Sequence, residues 1–298
     1  MVTERALRLY TRYAPITLGK RYIVRRAIHA SRKSPATRIV VTKRGVRLLV
    51  ETDDLIQGYI YLFGVWEPNI TDWIRRTLLP GDTFVDVGSN IGYYSTLAAR
   101  LVGSAGSVVA IDASSHFSAV LQRNAELNAC TNVRVVNVAA SDRSQTGLPF
   151  YQPDPHNRGH TTGVRAGRHL PALFTAAVAT LPEILTRREL EQARIIKIDV
   201  EGMEFATLLG MTPEFSRTRP DLELVVEISP DLLVAQGYSA ESLIELLARY
   251  GFNVYRIMND YAASSYLDKS PPSPPMRWTG AVTELGDFVF SRADAESL

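Results

Sequence analysis

The sequence predicts a doubly wound, mostly parallel α/β sheet, and three observations support it. The stretch Thr83-Phe-Val-Asp-Val-Gly-Ser-Asn-Ile-Gly-Tyr-Tyr-Ser95 reads as a buried strand, a turn from Gly88 to Gly92 and a helix carrying Tyr93, Leu97, Ala98 and Leu101 until Gly103 stops it. Strand and helix patterns then alternate along the rest of the chain, as crossover connections of a parallel sheet require. Several predicted strands end in acids, namely Asp86, Asp112, Asp199 and Glu227. Carboxyl ends of parallel strands lie along one edge, so these acids should converge on one crevice.

Residues 1–30 interleave bases with Leu7, Leu9, Tyr10, Tyr13, Ile16, Leu18, Tyr22, Ile23, Val24 and Ile28, and Pro15 divides them into two short helices. Residues 38–50 read as a hairpin turning near Arg44-Gly45. Residues 55–67 form an aromatic approach to the core, and Pro68 or Asn69 starts a helix that Pro80-Gly81 ends. Val108–Asp112 is a second strand, Ser114 or Ser115 caps the next helix, and Val133–Val136 is a third strand. Gly147–Tyr151 reads as a short hairpin. Residues 152–170 read as a mobile loop over a site, and residues 180–185 as a short helix. Ile195–Asp199 and Glu223–Ile228 are the fourth and fifth strands, with a short helix over 203–209 between them. A helix over 239–250, strands at 252–258 and 286–290, and an extended proline loop at 271–275 complete the chain. The expected division is a basic extension over 1–54 and one α/β domain over 55–298, with 152–170 and 260–280 as substrate loops.

Composition excludes several classes. The chain has 298 residues, 46% of them hydrophobic, which suffices for a sizeable core. Its one cysteine, Cys130, excludes a disulfide framework or a cysteine zinc site and reads as a packing residue in a reducing compartment. No apolar run spans a bilayer and no secretory signal is evident, so the expected location is cytoplasmic, or peripheral to a membrane. Residues 1–47 hold thirteen Lys and Arg against one acid, Glu4, a charge of +12; the remaining twenty bases and thirty acids give −10. Such an arm suits an anionic surface: a membrane, a lipid-linked substrate or nucleic acid. It equally suits a solvated helix packed on the domain or on a second subunit of a homo-oligomer, or a cleaved transit sequence.

The turn chemistry narrows the ligand. A dinucleotide fingerprint is G-x-G-x-x-G, but here Asn90 replaces the middle glycine and Asp86 adds an acid that repels pyrophosphate. Asp112 stands at about the spacing of a ribose-binding acid. An acidic crevice also suits a sulfonium cation, which favours S-adenosylmethionine over NAD.

Asp86-Val-Gly-Ser-Asn-Ile-Gly-Tyr-Tyr94, Lys197-Ile-Asp-Val-Glu-Gly202 and Leu224-Val-Val-Glu-Ile-Ser229 together resemble the FkbM-type S-adenosylmethionine-dependent methyltransferases over about residues 55–260. Val65-Trp-Glu-Pro68, Asn124 and Asn128 are similar to that family as well. The resemblance implies a class I methyltransferase fold, Rossmann-like, with a seven-stranded sheet. It implies a cofactor pocket shaped by Asp86, Gly88, Ser89, Asn90 and Gly92, with Asp112 and Ala113 at the ribose. Ala140, Ser141 and Asp142 would border adenine, Glu67 would approach from the side, and Asp199 and Glu201 would face the transferred methyl. Ser89, Asp112 and Glu183 depart from the family's commoner residues at those positions.

A hydroxyl acceptor needs a base or a metal to take its proton. Asp199, Glu201, His156 and His160 are the candidates. Only one of Asp199 and Glu201 is expected to face the pocket directly. Lys197 reads as a snorkelled strand lysine. A divalent metal bridging Asp199 and Glu227 is the alternative to a protein base, and no metal ligand is assigned. The resemblance implies O-methylation of a sugar, glycan or natural product. The alternatives are an RNA methyltransferase, motivated by the basic arm, and a non-catalytic adaptor that binds the cofactor.

Overall fold

The computed structural model describes residues 9–12, 19–165, 170–263, 265–267 and 270–298. Pro15 and residues 166–169 of the predicted loop lie outside them. The N-terminal helix α1 (Lys20–Lys33) turns Val24 and Ala27 inward. Strands β1 (Thr37–Val41) and β2 (Arg47–Glu51) form the expected hairpin. Helix α2 (Leu55–Phe63) replaces the unassigned aromatic approach. Residues 57–63 are all buried, so this helix has no polar face to reveal its period. Its visible signal is Asp54, whose carboxylate accepts the Gln57 N–H at 3.0 Å as an N-cap. Helix α3 (Pro68–Thr77) starts on the expected proline.

The central sheet follows. Strand β3 (Thr83–Val87) leads into helix α4 (Tyr93–Val102), β4 (Ser107–Asp112) into α5 (Ser115–Leu127), and then comes β5 (Val133–Asn137). Ser114 caps α5. Past a small side sheet come the short helices α6 (Leu181–Ile184) and α7 (Arg187–Gln192), each opened by a capping box. Strand β9 (Ala193–Ile198), helix α8 (Glu204–Met211), strand β10 (Glu223–Ile228), helices α9 (Pro230–Val234) and α10 (Ala240–Ala248), strands β11 (Asn253–Ile257), β12 (Met276–Arg277) and β13 (Gly286–Ser291) complete it. The strand order is β12-β11-β13-β10-β9-β3-β4-β5. Neighbours from β10 to β5 are parallel, while β13 runs antiparallel to both β10 and β11. Seven full strands match the expected sheet, and the two-residue β12 adds an eighth at one edge. It begins only past Pro275, because prolines lack the N–H that a ladder needs.

The side sheet corrects the expected hairpin at 147–151. Strand β7 (Gln145–Phe150) pairs antiparallel with β8 (Phe174–Ala179) across the intervening loop, and β8 also pairs with β6 (Ala139–Ala140). The N-terminal hairpin joins the main body through asparagines. Asn124 accepts the Leu49 N–H at 2.6 Å and donates to the Ile91 carbonyl at 2.8 Å; Asn128 exchanges both bonds with the backbone of Arg47. These amides satisfy an otherwise open strand edge. One apolar cluster runs from Val24, Leu48 and Val50 through Ile60 to Phe84 and Val225, so extension and sheet share a core. No helix among the described residues is long and apolar enough to cross a membrane.

Candidate active site

The strand order reverses between β3 and β9, and ligands of open α/β sheets bind at such a reversal. The Gly88 turn is stitched across it. Gly88 and Ser89 donate to the Ile111 carbonyl at 2.9 and 3.0 Å, and the Asp199 N–H donates to the Val87 carbonyl at 3.0 Å. Gly88 has φ +83°, and a Cβ there would overlap the Asp199 carbonyl. Only glycine permits that approach. Asn90, two residues on, is left-handed, with φ +50°. Its N–H donates to one Asp112 oxygen at 2.7 Å, and the Ser114 N–H donates to the other at 2.8 Å. A carboxylate offers about four acceptor positions, so Asp112 keeps capacity for a ligand's hydroxyls. Burial pushes its carboxyl up to about 6, against the pull of those two N–H bonds.

The second wall is the turn from Val200 to Gly202. The Lys197 ammonium, only 4% exposed, lies 2.7 Å from Asp199 Oδ2 and 5.1 Å from the Tyr94 ring. This corrects the snorkelled reading. Burial works against its charge, but Asp199, Glu67 and Asp86 together hold it above the ordinary lysine value. Strand β9 ends at Ile198 and Glu201 is left-handed at φ +51°, so the pair lies on a turn and not on an extended chain. Asp199 and Glu201 both line the same cleft. The Glu201 carboxyl is pushed well up by burial and then by Asp199 and Glu204. Asp199, Glu201 and Glu227 each bring one oxygen within 4.8 Å of the others. Exposed acid clusters occur without metals, so this geometry alone assigns none. Beneath the turn, Glu204 Oε1 accepts the Val200 and Gly202 N–H groups at 3.1 and 3.0 Å.

Between these walls lies a cleft of about 940 Å³, counted to its open mouth. Phe150 and Phe174 stack at 5.1 Å along one side, and Trp66, Tyr93 and Tyr94 close another. Gly159 and Thr161 cover it from the loop after β7. The described part of that loop is tied to the residues that open α2 and to the end of β2. The Arg158 guanidinium pairs with Glu51 and Asp53, the Arg158 backbone N–H donates to Asp54 at 2.9 Å, and the Leu55 N–H donates to the His156 carbonyl at 2.7 Å. A Cβ on Gly159 would stand 2.9 Å from Asn90 Nδ2 and fill the space the loop leaves.

Of the expected cofactor residues, Gly88, Ser89, Asn90, Asp112, Ala113, Ala140 and Asp199 line the cleft. Glu67, Asp86, Gly92, Ser141 and Asp142 do not. Asp86 points behind the turn, accepting the Ser95 hydroxyl at 2.5 Å, and its other oxygen is buried without a partner. Glu67 stands behind Tyr94, whose hydroxyl donates to it at 2.6 Å; Tyr261 donates to its second oxygen at 3.0 Å. Burial, reinforced by Asp287, pushes the Glu67 carboxyl up to about 8. Gly92 starts α4 against Leu121. Ser141 bonds the end of β8 and its own neighbour Asp142. His156 anchors the loop through its carbonyl, away from the cleft. His160 Nε2 lies 3.5 Å from Glu201 Oε2, facing a second hollow of about 630 Å³ walled by Tyr151, Val164 and Leu232. Phe150, Phe174 and Lys197 line the cleft and were not expected there. The alternation Phe174, Ala176, Val178 was the signal for β8, which carries Phe174.

Comparison with known proteins agrees with this geometry. Residues 86–254, more than half of the chain, match the Methyltransferase FkbM domain family. The chain belongs to the FkbM methyltransferase family. It is an enzyme that transfers methyl groups from S-adenosylmethionine, and its fold is that of class I methyltransferases. No curated protein matches it. Among solved structures it is similar to a SAM-dependent methyltransferase from Aquifex aeolicus (16% identity, 76% of this chain and 90% of that one, TM-score 0.41). It is also similar to precorrin-6y C5,15-methyltransferase from Geobacter metallireducens (12%, 74% and 88%, 0.40) and to Trm5b from Pyrococcus abyssi (13%, 87% and 56%, 0.46). The family match, not these distant likenesses, decides the assignment.

The cleft fits this cofactor. It offers a buried carboxylate with spare acceptor positions at Asp112, paired aromatic rings and glycines where side chains would intrude. Its acid excess favours a positive sulfur. Bound S-adenosylmethionine supplies an electrophilic methyl group on that sulfur.

Proposed function

We propose that this FkbM-family enzyme methylates a hydroxyl oxygen of a small molecule, a sugar, glycan or natural product. The observation that carries the reading is the Glu201–His160 pair, placed where the cofactor cleft meets the second hollow. Glu201 lines the cleft, and its raised carboxyl makes it a stronger base than an ordinary glutamate. In this reading Glu201 takes the hydroxyl proton on a carboxylate oxygen, and the partly exposed His160 passes it to solvent. Asp199 is paired with Lys197 beside the methyl donor, and that pairing offsets its repulsion of an acceptor. Gly88, Ser89, Asn90, Asp112, Ala113 and Ala140 hold the cofactor, while Glu67, Asp86 and Gly92 set the shape of its wall from behind. Tyr151, Val164 and Leu232 provide an apolar bed for the acceptor. The loop over 152–165 excludes water, which would otherwise compete for the methyl group.

The test is a panel of hydroxylated acceptors incubated with S-adenosylmethionine and followed by mass spectrometry. The expected product carries one added methyl on oxygen, and Glu201→Gln slows its formation about a hundredfold or more. Products methylated solely on carbon, nitrogen or RNA would overturn the oxygen assignment and leave the methyltransferase assignment standing.

A further inference from the structure

We propose that the outward face of the N-terminal extension docks the enzyme on an anionic lipid surface. Helix α1 is two-faced. Val24 and Ala27 are buried in the core, whereas Tyr22, Arg25, Arg26, His29 and Lys33 are exposed, Tyr22 by 63%. Arg25, Arg26 and Lys33 pair with no carboxylate among the described residues, and Arg26 Nη1 donates to the Tyr22 hydroxyl at 2.6 Å. Other bases of the extension serve the fold. The Arg12 guanidinium binds the carbonyls of Ile60, Tyr61 and Leu62 at the end of α2 and that of Val41 in β1, and Arg44 pairs with Asp72 at 3.2 Å. The outward bases therefore lack the internal role that these have.

Exposed apolar side chains select the partner. Of the eleven large ones among the described residues, four lie in this short segment: Leu9, Tyr22, Ile39 and Val41. Ile39 and Val41 alternate along β1, 56% and 50% exposed, on the face turned from the core. Nucleic acid needs the bases but gains nothing from exposed isoleucine and valine. A lipid interface uses both: anionic headgroups meet the bases, and apolar side chains enter the boundary. The segment from 1 to 47 carries +12 on a body of −10, so docking would also orient the molecule with its acidic body outward. Helix α1 packs on α2, and Ile56 and Ile60 of α2 line the cofactor cleft. Docking would thus hold the active site one helix from the membrane. This inference stands independently of the oxygen assignment.

The test is co-sedimentation of the full chain with vesicles of phosphatidylcholine alone and of an equimolar mixture with phosphatidylglycerol. Binding to the mixed vesicles, not to the neutral ones, and release by salt are expected. Each basic residue near such a surface is worth roughly fivefold, so Arg25→Gln with Arg26→Gln should weaken binding about 30-fold. S-adenosylhomocysteine affinity, which reports folding, should stay unchanged. Tyr22→Ser, and separately Ile39→Ser with Val41→Ser, should weaken vesicle binding several-fold. Failure of a cofactor-binding preparation to sediment with mixed vesicles would overturn the proposal. So would equal binding by the neutralised variant, single-stranded RNA binding with no vesicle binding, or a dimer that buries Tyr22 and ignores vesicles.

Discussion

Two turns face each other across the cleft, and their polar groups are treated differently. In the Gly88–Gly92 turn, Asp112 holds two backbone N–H groups and Ser89 and Gly88 share the Ile111 carbonyl. These bonds fix the wall's shape in advance, as suits a site for one cofactor. In the Val200–Gly202 turn, Glu201 and Glu227 are crowded against Asp199 with few donors, and the buried Lys197 ammonium is already taken by Asp199. That wall holds more acid than its own donors satisfy. Polar surplus of this kind marks where protons move rather than where a ligand is merely held. Both walls contain a left-handed non-glycine residue, Asn90 and Glu201, and strain of that sort persists where surrounding structure enforces it.

The largest effect should come from joining the two walls too tightly. Gly88→Ala places a Cβ into the Asp199 carbonyl at a positive φ and should cost about 3 kcal/mol or more in urea denaturation, with loss of cofactor binding. A variant that melts and binds like the wild type would show that the walls need no such contact. Next, Glu201→Gln should lower kcat about a hundredfold or more, the scale of a lost general base, with S-adenosylhomocysteine affinity unchanged. Loss of affinity with unchanged kcat would place Glu201 with the binding wall instead.

Asp112→Asn should do the reverse, weakening cofactor binding roughly tenfold, as for loss of a charge-assisted hydrogen bond. Its pH dependence follows from the carboxyl at about 6. Wild-type affinity should fall as pH drops through about 6 and Asp112 takes up a proton, whereas Asp112→Asn should be flat in calorimetric titrations over the same range. The smallest effect tests the support beneath the second wall. Burial pushes Glu204 from 4.5 up to about 7, so the folded protein binds this proton more tightly than the unfolded chain. The associated stability is complete below pH 4.5 and lost as pH rises to about 7. Glu204→Gln keeps the Oε1 acceptor and removes the charge, leaving one buried amide group to satisfy. Above pH 7 it should be more stable than the wild type by about 1 kcal/mol, with the pH slope removed.

Much of the sheet was legible because strand ends and helix caps are local signals. Asp86, Gly88, Asp112 and Asp199 announced the reversal point, and Ser114 and Pro68 announced helix starts. Helix α2 was hidden because it is apolar on every side, and β8 because its partner β7 lies across a long loop. The site was legible where backbone conformation is written in residue type, as at Gly88. It was not legible where a turn redirects side chains. Only one of Asp199 and Glu201 was expected to face the pocket, yet the turn after Ile198, with Glu201 left-handed, leaves both on the cleft. Glu67 and Asp86 show a second limit, since a sequence gives their proximity to the cofactor wall but not on which side of Tyr94 or Gly88 they stand.

The most direct measurement is a crystal structure with S-adenosylhomocysteine bound. The ribose should sit against Asp112, the adenine near Phe150 and Phe174, and the sulfur toward Asp199 and Glu201. Density for the ligand in the hollow beside Tyr151 and Leu232, with the Gly88 cleft empty, would contradict the account.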